Sequence, residues 1–263
     1  MPRKREPNPF VAGGPVKPDK FFGRERDAHA IMGHLLDNSG SSAIYGEQRI
    51  GKTSFLHYLK SDRAKNEWEF SAKDYTFVYF DCAGFDIPYQ ENFWRIVLKE
   101  LERETDNRTV RNMVADTVAK SEFTAVALED LFREVTKLNH RLIILLDEFE
   151  KLVQSDVDLL EKLRAFVVER IINLVVCTSE PLHWVIKKLN LQHRTRIASP
   201  LRLRQLKLFN KKQTLEFLKG ALKDSNIQFA QQDYEFIWHV SQGHPFKIQF
   251  AASELFEEYL FSR

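Results

Sequence analysis

The sequence predicts a three-layer α/β domain on a five-stranded parallel sheet, followed by a small helical lid. Three observations predict it. Gly46, four intervening residues, Gly51, Lys52 and Thr53 form a phosphate-binding-loop pattern, set between the short apolar run Ala43–Tyr45 and an opening helix. Five consecutive apolar residues, Leu142 to Leu146, end in Asp147 and Glu148, as a central strand buried on both faces ends at the ligand side of such a sheet. Beyond Phe209 the pattern turns wholly helical.

The chain begins with an arm, residues 1–20, rich in Pro, Gly and charge. Its first residues, Met1 to Glu6, read as a solvated tail. Asn8 to Val16 reads as an extended, partly apolar segment lying against the domain. Phe21 to Asp27 lead into an amphipathic helix carrying Ile31, Leu35 and Leu36.

The phosphate-binding loop comes next. Its backbone N–H groups turn inward, and the following helix N-terminus adds about half a positive charge. Gly46 and Gly51 permit the turn and the close approach of backbone to ligand. Lys52 is placed to reach terminal phosphates and the Thr53 hydroxyl to hold Mg²⁺. Ser61 to Lys73 reads as a charged linker, and Thr76 to Cys82 as the second strand. Helical spacing follows at Phe93–Leu101, Arg111–Ala119 and Leu128–Leu138.

The strand ending at Asp147 and Glu148 is a Walker B pattern. Asp147 is expected to hold the Mg²⁺ shell, and Glu148 to act as general base toward water. Leu159–Val168 reads as a helix and Ile171–Ser179 as a further buried strand. Thr178 and Ser179 at its end either sense the terminal phosphate or cap the following segment. Leu201–Leu208 alternates like an edge strand, completing five strands.

The α/β domain therefore spans 21–208 and the lid 209–263. Asn210 caps a first lid helix. A second carries Phe236, Ile237 and Val240, and Gly243 ends it as a left-handed residue. Pro245 suits the first turn of a third helix, whose stripe is Ile248, Ala251, Ala252, Leu255, Phe256 and Tyr259.

Composition narrows the class. The 263 residues carry a formal charge of +2, so nothing global argues for nucleic acid, although a local basic patch is compatible with it. Cys82 and Cys177 lie in apolar runs and read as reduced core residues of a cytoplasmic protein. No apolar run is long enough to cross a membrane, and no signal peptide is expected.

Four pieces in order resemble the STAND class of P-loop ATPases, of the wider ASCE/AAA+ kind: Phe22-Gly-Arg-Glu25, Gly46 to Ser54, Leu145 to Glu148, and Gly243-His-Pro245. The loop itself, with Gln48, Arg49 and Ile50 ahead of Gly51, looks most like the prokaryotic and archaeal branch. The resemblance implies that Phe22, Gly23, Arg24 and Glu25 lie near the adenine and that Pro245 contacts it. His244 is either near the base or phosphates or a partly exposed helix-start residue. It also implies that the strand ending at Thr178 sits between the two Walker strands. It implies ATP or ADP with Mg²⁺ as ligand, the lid as a switch, and protein partners or self-association on ATP binding.

Glu180 stands where relatives often carry an arginine. Arg49, Arg164, Arg170 and Arg202 are the candidates for phosphate contact or for reaching a neighbour's nucleotide, against surface or interface salt bridges, the more ordinary reading of each. The reading is a Mg-ATP-dependent, slowly hydrolysing switch. The alternative is a nucleic-acid-associated AAA+-like ATPase of initiator or transposition-regulator type. A small-molecule kinase and a scaffold without turnover are further classes. Glu148 beside Asp147 argues for water as the acceptor, against the kinase.

Overall fold

A computed structural model describes residues 6–11, 13–36, 40–84, 90–119 and 124–262. The strands are β1 (Ser41–Tyr45), β2 (Tyr75–Asp81), β3 (Arg141–Asp147), β4 (Ile172–Thr178) and β5 (Leu201–Gln205). They form one parallel sheet in the order β2-β3-β4-β1-β5. The strand ending at Thr178 thus lies between the two Walker strands, as the resemblance implied.

Alternation along the strands builds two cores. Leu142, Ile144 and Leu146 of β3 enter one apolar cluster, and Ile143 and Leu145 enter the other. This is the two-faced burial that a continuous apolar run requires. The first face is covered by α4 (Gln90–Glu104), α5 (Arg108–Val118), α6 (Ala125–Lys137), α7 (Glu150–Ser155), α8 (Val157–Val168) and α9 (Leu182–Lys188). The second is covered by α1 (Glu25–Leu36), α2 (Lys52–Lys60) and α3 (Asp62–Glu67). The parallel register sets Asp81 beside Asp147 and Tyr45 beside Thr178, so the strand ends meet at one rim.

Helices α10 (Lys211–Ala221), α11 (Gln231–Ser241) and α12 (Pro245–Phe261) surround a third apolar cluster. Asn210 caps α10 through a full capping box with Gln213. The arm belongs to this cluster. Phe10 is buried against Phe229 and Phe256. Asn8 donates to the Ser253 carbonyl and hydroxyl and to Glu257, and Val11 N–H donates to Gln249. On its other side Val16 N–H donates to the Ser54 hydroxyl of α2 at 3.1 Å. The arm therefore crosses from lid to core.

Several expectations change. The supposed linker 61–73 contains α3, because the Ser61 hydroxyl accepts from Ala64 N–H as an N-cap. Helices α7 and α9 are too short to show a full apolar period. β5 ends at Gln205, three residues early. In α11 only Ile237 of the three expected core residues is buried, while Phe236 and Val240 are exposed. Both cysteines are buried and unpaired. The tail residues 1–5 lie outside the described residues, whereas the Glu6 carboxylate accepts from Asn226 N–H. No helix of the described residues is long and apolar enough to cross a membrane.

Candidate functional site

The loop between β1 and α2 opens onto a cavity of about 310 Å³. Gly51, at φ 101°, caps α2, so the first turn of the helix faces the cavity with Lys52, Thr53 and Ser54. The left-handed backbone there is one that glycine adopts without strain. Lys52 is buried, and its ammonium donates to Gly46 O at 2.9 Å and Glu47 O at 3.1 Å, lying across the loop.

Thr53 Oγ1 donates to Asp147 Oδ2 at 2.5 Å. The other carboxylate oxygen accepts from Glu148 N–H at 3.0 Å, and the Tyr79 hydroxyl approaches Oδ2 at 3.4 Å. The aspartate is buried and fixed from three sides. Burial and the Asp147 charge together push the Tyr79 hydroxyl pKa upward. Hydroxyl and carboxylate side by side are two hard oxygen donors of the kind Mg²⁺ takes.

Glu148 sits at φ 46°, a left-handed backbone for a non-glycine residue at the end of β3. Such backbone is uncommon and concentrates at functional sites. The turn carries its side chain to the cavity wall. Burial first, then the charges of Glu150 and Asp147, raise its pKa, with Lys52 opposing. A carboxylate with a raised pKa is a better proton acceptor.

The opposite wall comes from other parts of the chain. Phe22 and Arg24 line it, with Phe209 from the lid junction, Phe217 from α10, and Pro245, Phe246 and Gln249 from α12. The arm closes it with Val11 and residues 13–16. Thus Phe22, Arg24, Gln48, Arg49, Ile50, Gly51, Lys52, Thr53, Ser54, Glu148 and Pro245, all singled out in the sequence, share one cavity. Asp147 stands behind Thr53.

The remaining candidates do not line the cavity. Gly46 lies beneath the loop, where an added Cβ would stand 2.9 Å from Leu206 O. Gly23 packs under the Phe209 ring, and its N–H donates to the carboxylate of the exposed Glu25. The Thr178 hydroxyl donates to Glu180 O at 2.6 Å and Ser179 N–H donates to Glu150, while α9 starts at Pro181 with no side-chain cap. His244 occupies the N-cap of α12, with Nδ1 buried and unpartnered among the described residues.

Arg24 lines the cavity with its donors already engaged by backbone carbonyls. It is buried, donates to Lys207 O at 2.6 Å and Ile50 O at 3.1 Å, and lies 4.6 Å over the Phe209 ring. Its donors hold the loop to the lid junction. Of the other arginines, Arg49 stacks 4.4 Å over Phe246 and so joins loop to lid. Arg164 pairs with Glu161, Arg170 follows α8 at φ 59°, and Arg202 is exposed on β5. Glu180 pairs with Lys188.

Sequence reasoning missed the arm as a wall of the site, and with it Phe209, Phe246 and Gln249. A trace was present: an apolar pair, Phe10 and Val11, followed by Gly13, Gly14 and Pro15, is an anchor joined to a turn.

Among solved structures, a Walker-type ATPase of Pyrococcus abyssi is similar with a TM-score of 0.62 and 19% identity, covering 95% of this chain and 71% of that one. The ORC2 protein of Aeropyrum pernix, in ADPNP–ADP complexes, has a TM-score of 0.62 and 17% identity over 88% of this chain. This chain spans 61% of that ORC2 protein. In sequence, an uncharacterised ATP-binding protein of Methanocaldococcus jannaschii is 21% identical over 268 residues, 89% of this chain and 70% of the relative. The model of an ATPase domain found predominantly in Archaea matches residues 21–250, and the chain belongs to that family.

Proposed function

We propose that the protein is a Mg-ATP-binding and hydrolysing switch of STAND type, with the nucleotide held between the α/β core and the lid. One observation carries the reading. Lys52, Thr53 and Glu148 face a single cavity, Asp147 is hydrogen-bonded to Thr53, and Pro245 and Phe246 of the lid complete the opposite wall.

In this reading the loop amides and Lys52 bind the phosphates, and the apolar wall at Phe22, Phe209 and Pro245 receives the base. Thr53 and Asp147 would hold Mg²⁺, which neutralises charge on the phosphates. Glu148 accepts the proton of the attacking water. A ligand gripped by both units favours closure by its differential affinity for the closed arrangement. Gain or loss of a terminal phosphate at Lys52 and Thr53 biases that closure, and the closure controls assembly or signalling by protein partners. An ATPase of initiator type acting on nucleic acid would use the same residues in the same roles.

The test is mass spectrometry of nucleotide released from fresh protein, with oligomeric size and phosphate release measured for the parent and Glu148→Gln. Bound ADP on a monomer and loss of phosphate release in the variant support the switch. Equal phosphate release by parent and variant overturns the catalytic assignment.

A further inference from the structure

The near-neutral charge of the chain conceals an asymmetry. The whole sequence has 39 Lys and Arg against 37 Asp and Glu. Residues 181–215 hold nine of the basic residues and none of the acidic ones, which leaves 30 against 37 elsewhere. This stretch comprises α9, the connection to β5, β5 itself, the outermost strand of the sheet next to β1, and the start of α10 with Lys211 and Lys212.

The fold turns these charges outward. Leu182, Val185 and Ile186 bury one side of α9 in the apolar core. His183, Trp184, Lys187 and Lys188 are exposed on the other. The spacing places Trp184 with Lys188 and His183 with Lys187 as neighbours one turn apart. Trp184 is 54% exposed, a large aromatic face left to solvent. Arg194 and Arg196 in the connection, Arg202 on β5 and Lys207 beyond it are exposed as well.

Acidic neighbours of this surface are already engaged. Glu180 pairs with Lys188, Asp27 with Arg204, Glu235 with Lys211 and Glu216 with Lys212. Glu161 pairs with Arg164 while accepting from Thr195 and the Arg196 N–H. Lys187, Arg194, Arg196, Arg202 and Lys207 make no ion pair among the described residues. Arg202 shares the β5 face of Arg204, which pairs with Asp27 of α1 on the other side of the sheet, so the cations grouped with Trp184 are Lys187, Arg194 and Arg196 of α9 and its connection. Unneutralised cations together with an exposed tryptophan are the two components of a single-strand nucleic-acid surface: charge along the backbone and an aromatic platform for a base.

We propose that α9 and its connection to β5 form a nucleic-acid-binding surface, with Lys187, Arg194 and Arg196 on the phosphodiester backbone and Trp184 stacking on an unpaired base. The surface is separate from the cavity at Lys52. Its root is nevertheless tied to the catalytic rim, through the Thr178 hydroxyl on Glu180 O and the Ser179 N–H on Glu150.

The test is fluorescence anisotropy with a labelled 25-nucleotide single strand and its duplex, without ATP, from 50 to 200 mM NaCl. Single-strand binding is expected, weakening with salt. The triple variant Lys187→Ala, Arg194→Ala, Arg196→Ala should bind at least about tenfold more weakly and lower the log–log salt slope by about 2, at roughly 0.7 for each phosphate no longer neutralised. Trp184→Ala should weaken single-strand binding about tenfold and duplex binding little. ATP binding and thermal midpoint, measured on the same samples, stay at parent values and exclude misfolding.

Failure of the parent to bind either oligonucleotide at 50 mM NaCl overturns the proposal, as does parent-like binding by the triple variant. A change of oligomeric size in the triple variant with unaltered oligonucleotide binding also overturns it and assigns the face to a second copy. Because the assay omits ATP, each negative result leaves the ATP-site reading standing.

Discussion

The Phe209 amide donates to Gly243 O at 2.8 Å, and a Cβ on Gly243 would lie 1.9 Å from Phe209 O. The lid turn and the end of the α/β domain therefore meet backbone to backbone. Gly23, on the far side, would place a Cβ 3.0 Å from the Phe209 ring. Both glycines have positive φ, 80° and 79°. Gly243→Ala combines strain with a clash that no rotamer relieves. It should cost about 2 kcal/mol or more, read as a lower midpoint in denaturant, and should weaken ATP binding because Pro245 shifts with the turn.

Lys52→Ala removes the cation that spans the loop. Charge-assisted hydrogen bonds contribute about 1.5–3 kcal/mol each, so ATP affinity should fall about 10- to 100-fold. Calorimetric titration checks this, with a single cooperative thermal transition as the control for folding. Parent-like affinity would remove the loop from the site.

Glu148→Gln keeps the shape of the side chain and abolishes proton acceptance. Phosphate release should fall at least about a hundredfold while ATP still binds. A filter-binding assay on the variant separates retention from turnover.

Arg24 offers a different test, because its guanidinium is spent on Ile50 O and Lys207 O. Arg24→Ala leaves two carbonyls without their donors and should destabilise the fold by about 2–4 kcal/mol. Arg24→Lys should recover only part of this, since an ammonium cannot reproduce the planar fork. Recovery of full stability by lysine would show that charge alone suffices.

His140 gives the fold a pH dependence. It is buried, with Nδ1 at 2.6 Å from Lys73 O and Nε2 at 2.8 Å from Thr76 Oγ1. The carbonyl can only accept, so Nδ1 carries the proton and Nε2 accepts from the hydroxyl. Burial lowers the His140 pKa below its ordinary value, and His57 is lowered for the same first cause. A depressed histidine pKa means that the unfolded chain takes up a proton before the native one does. Stability should thus be level above about pH 6.5 and decline as pH falls below it. Denaturant midpoints at pH 7.5 and 5.5 test the sign, and His140→Asn should flatten the decline.

The sequence was most legible where one local rule acted alone. The loop at Gly46 to Thr53 is a backbone requirement written in adjacent residues, and the run ending at Asp147 is a strand that must be buried on both faces. The opposite wall was less legible because it is assembled from distant pieces. Val11 meets Gln249 across 238 positions of chain, and no local period records such a contact. Arg24 shows the same limit. Its motif was visible, but whether its donors face a ligand or the backbone is decided by Ile50 and Lys207, far from it in the chain. Short α7 and α9 escaped because two turns do not display a helical period.

The arm sets a limit on how far the lid can travel. Phe10 is held in the lid and Val16 in α2, and six residues of chain reach at most about 20 Å when fully extended. The short leash keeps the two walls of the cleft at high effective concentration. In the proposed switch, reclosure after each opening would be a local search, and a lid that had released its nucleotide would remain within reach of the next one.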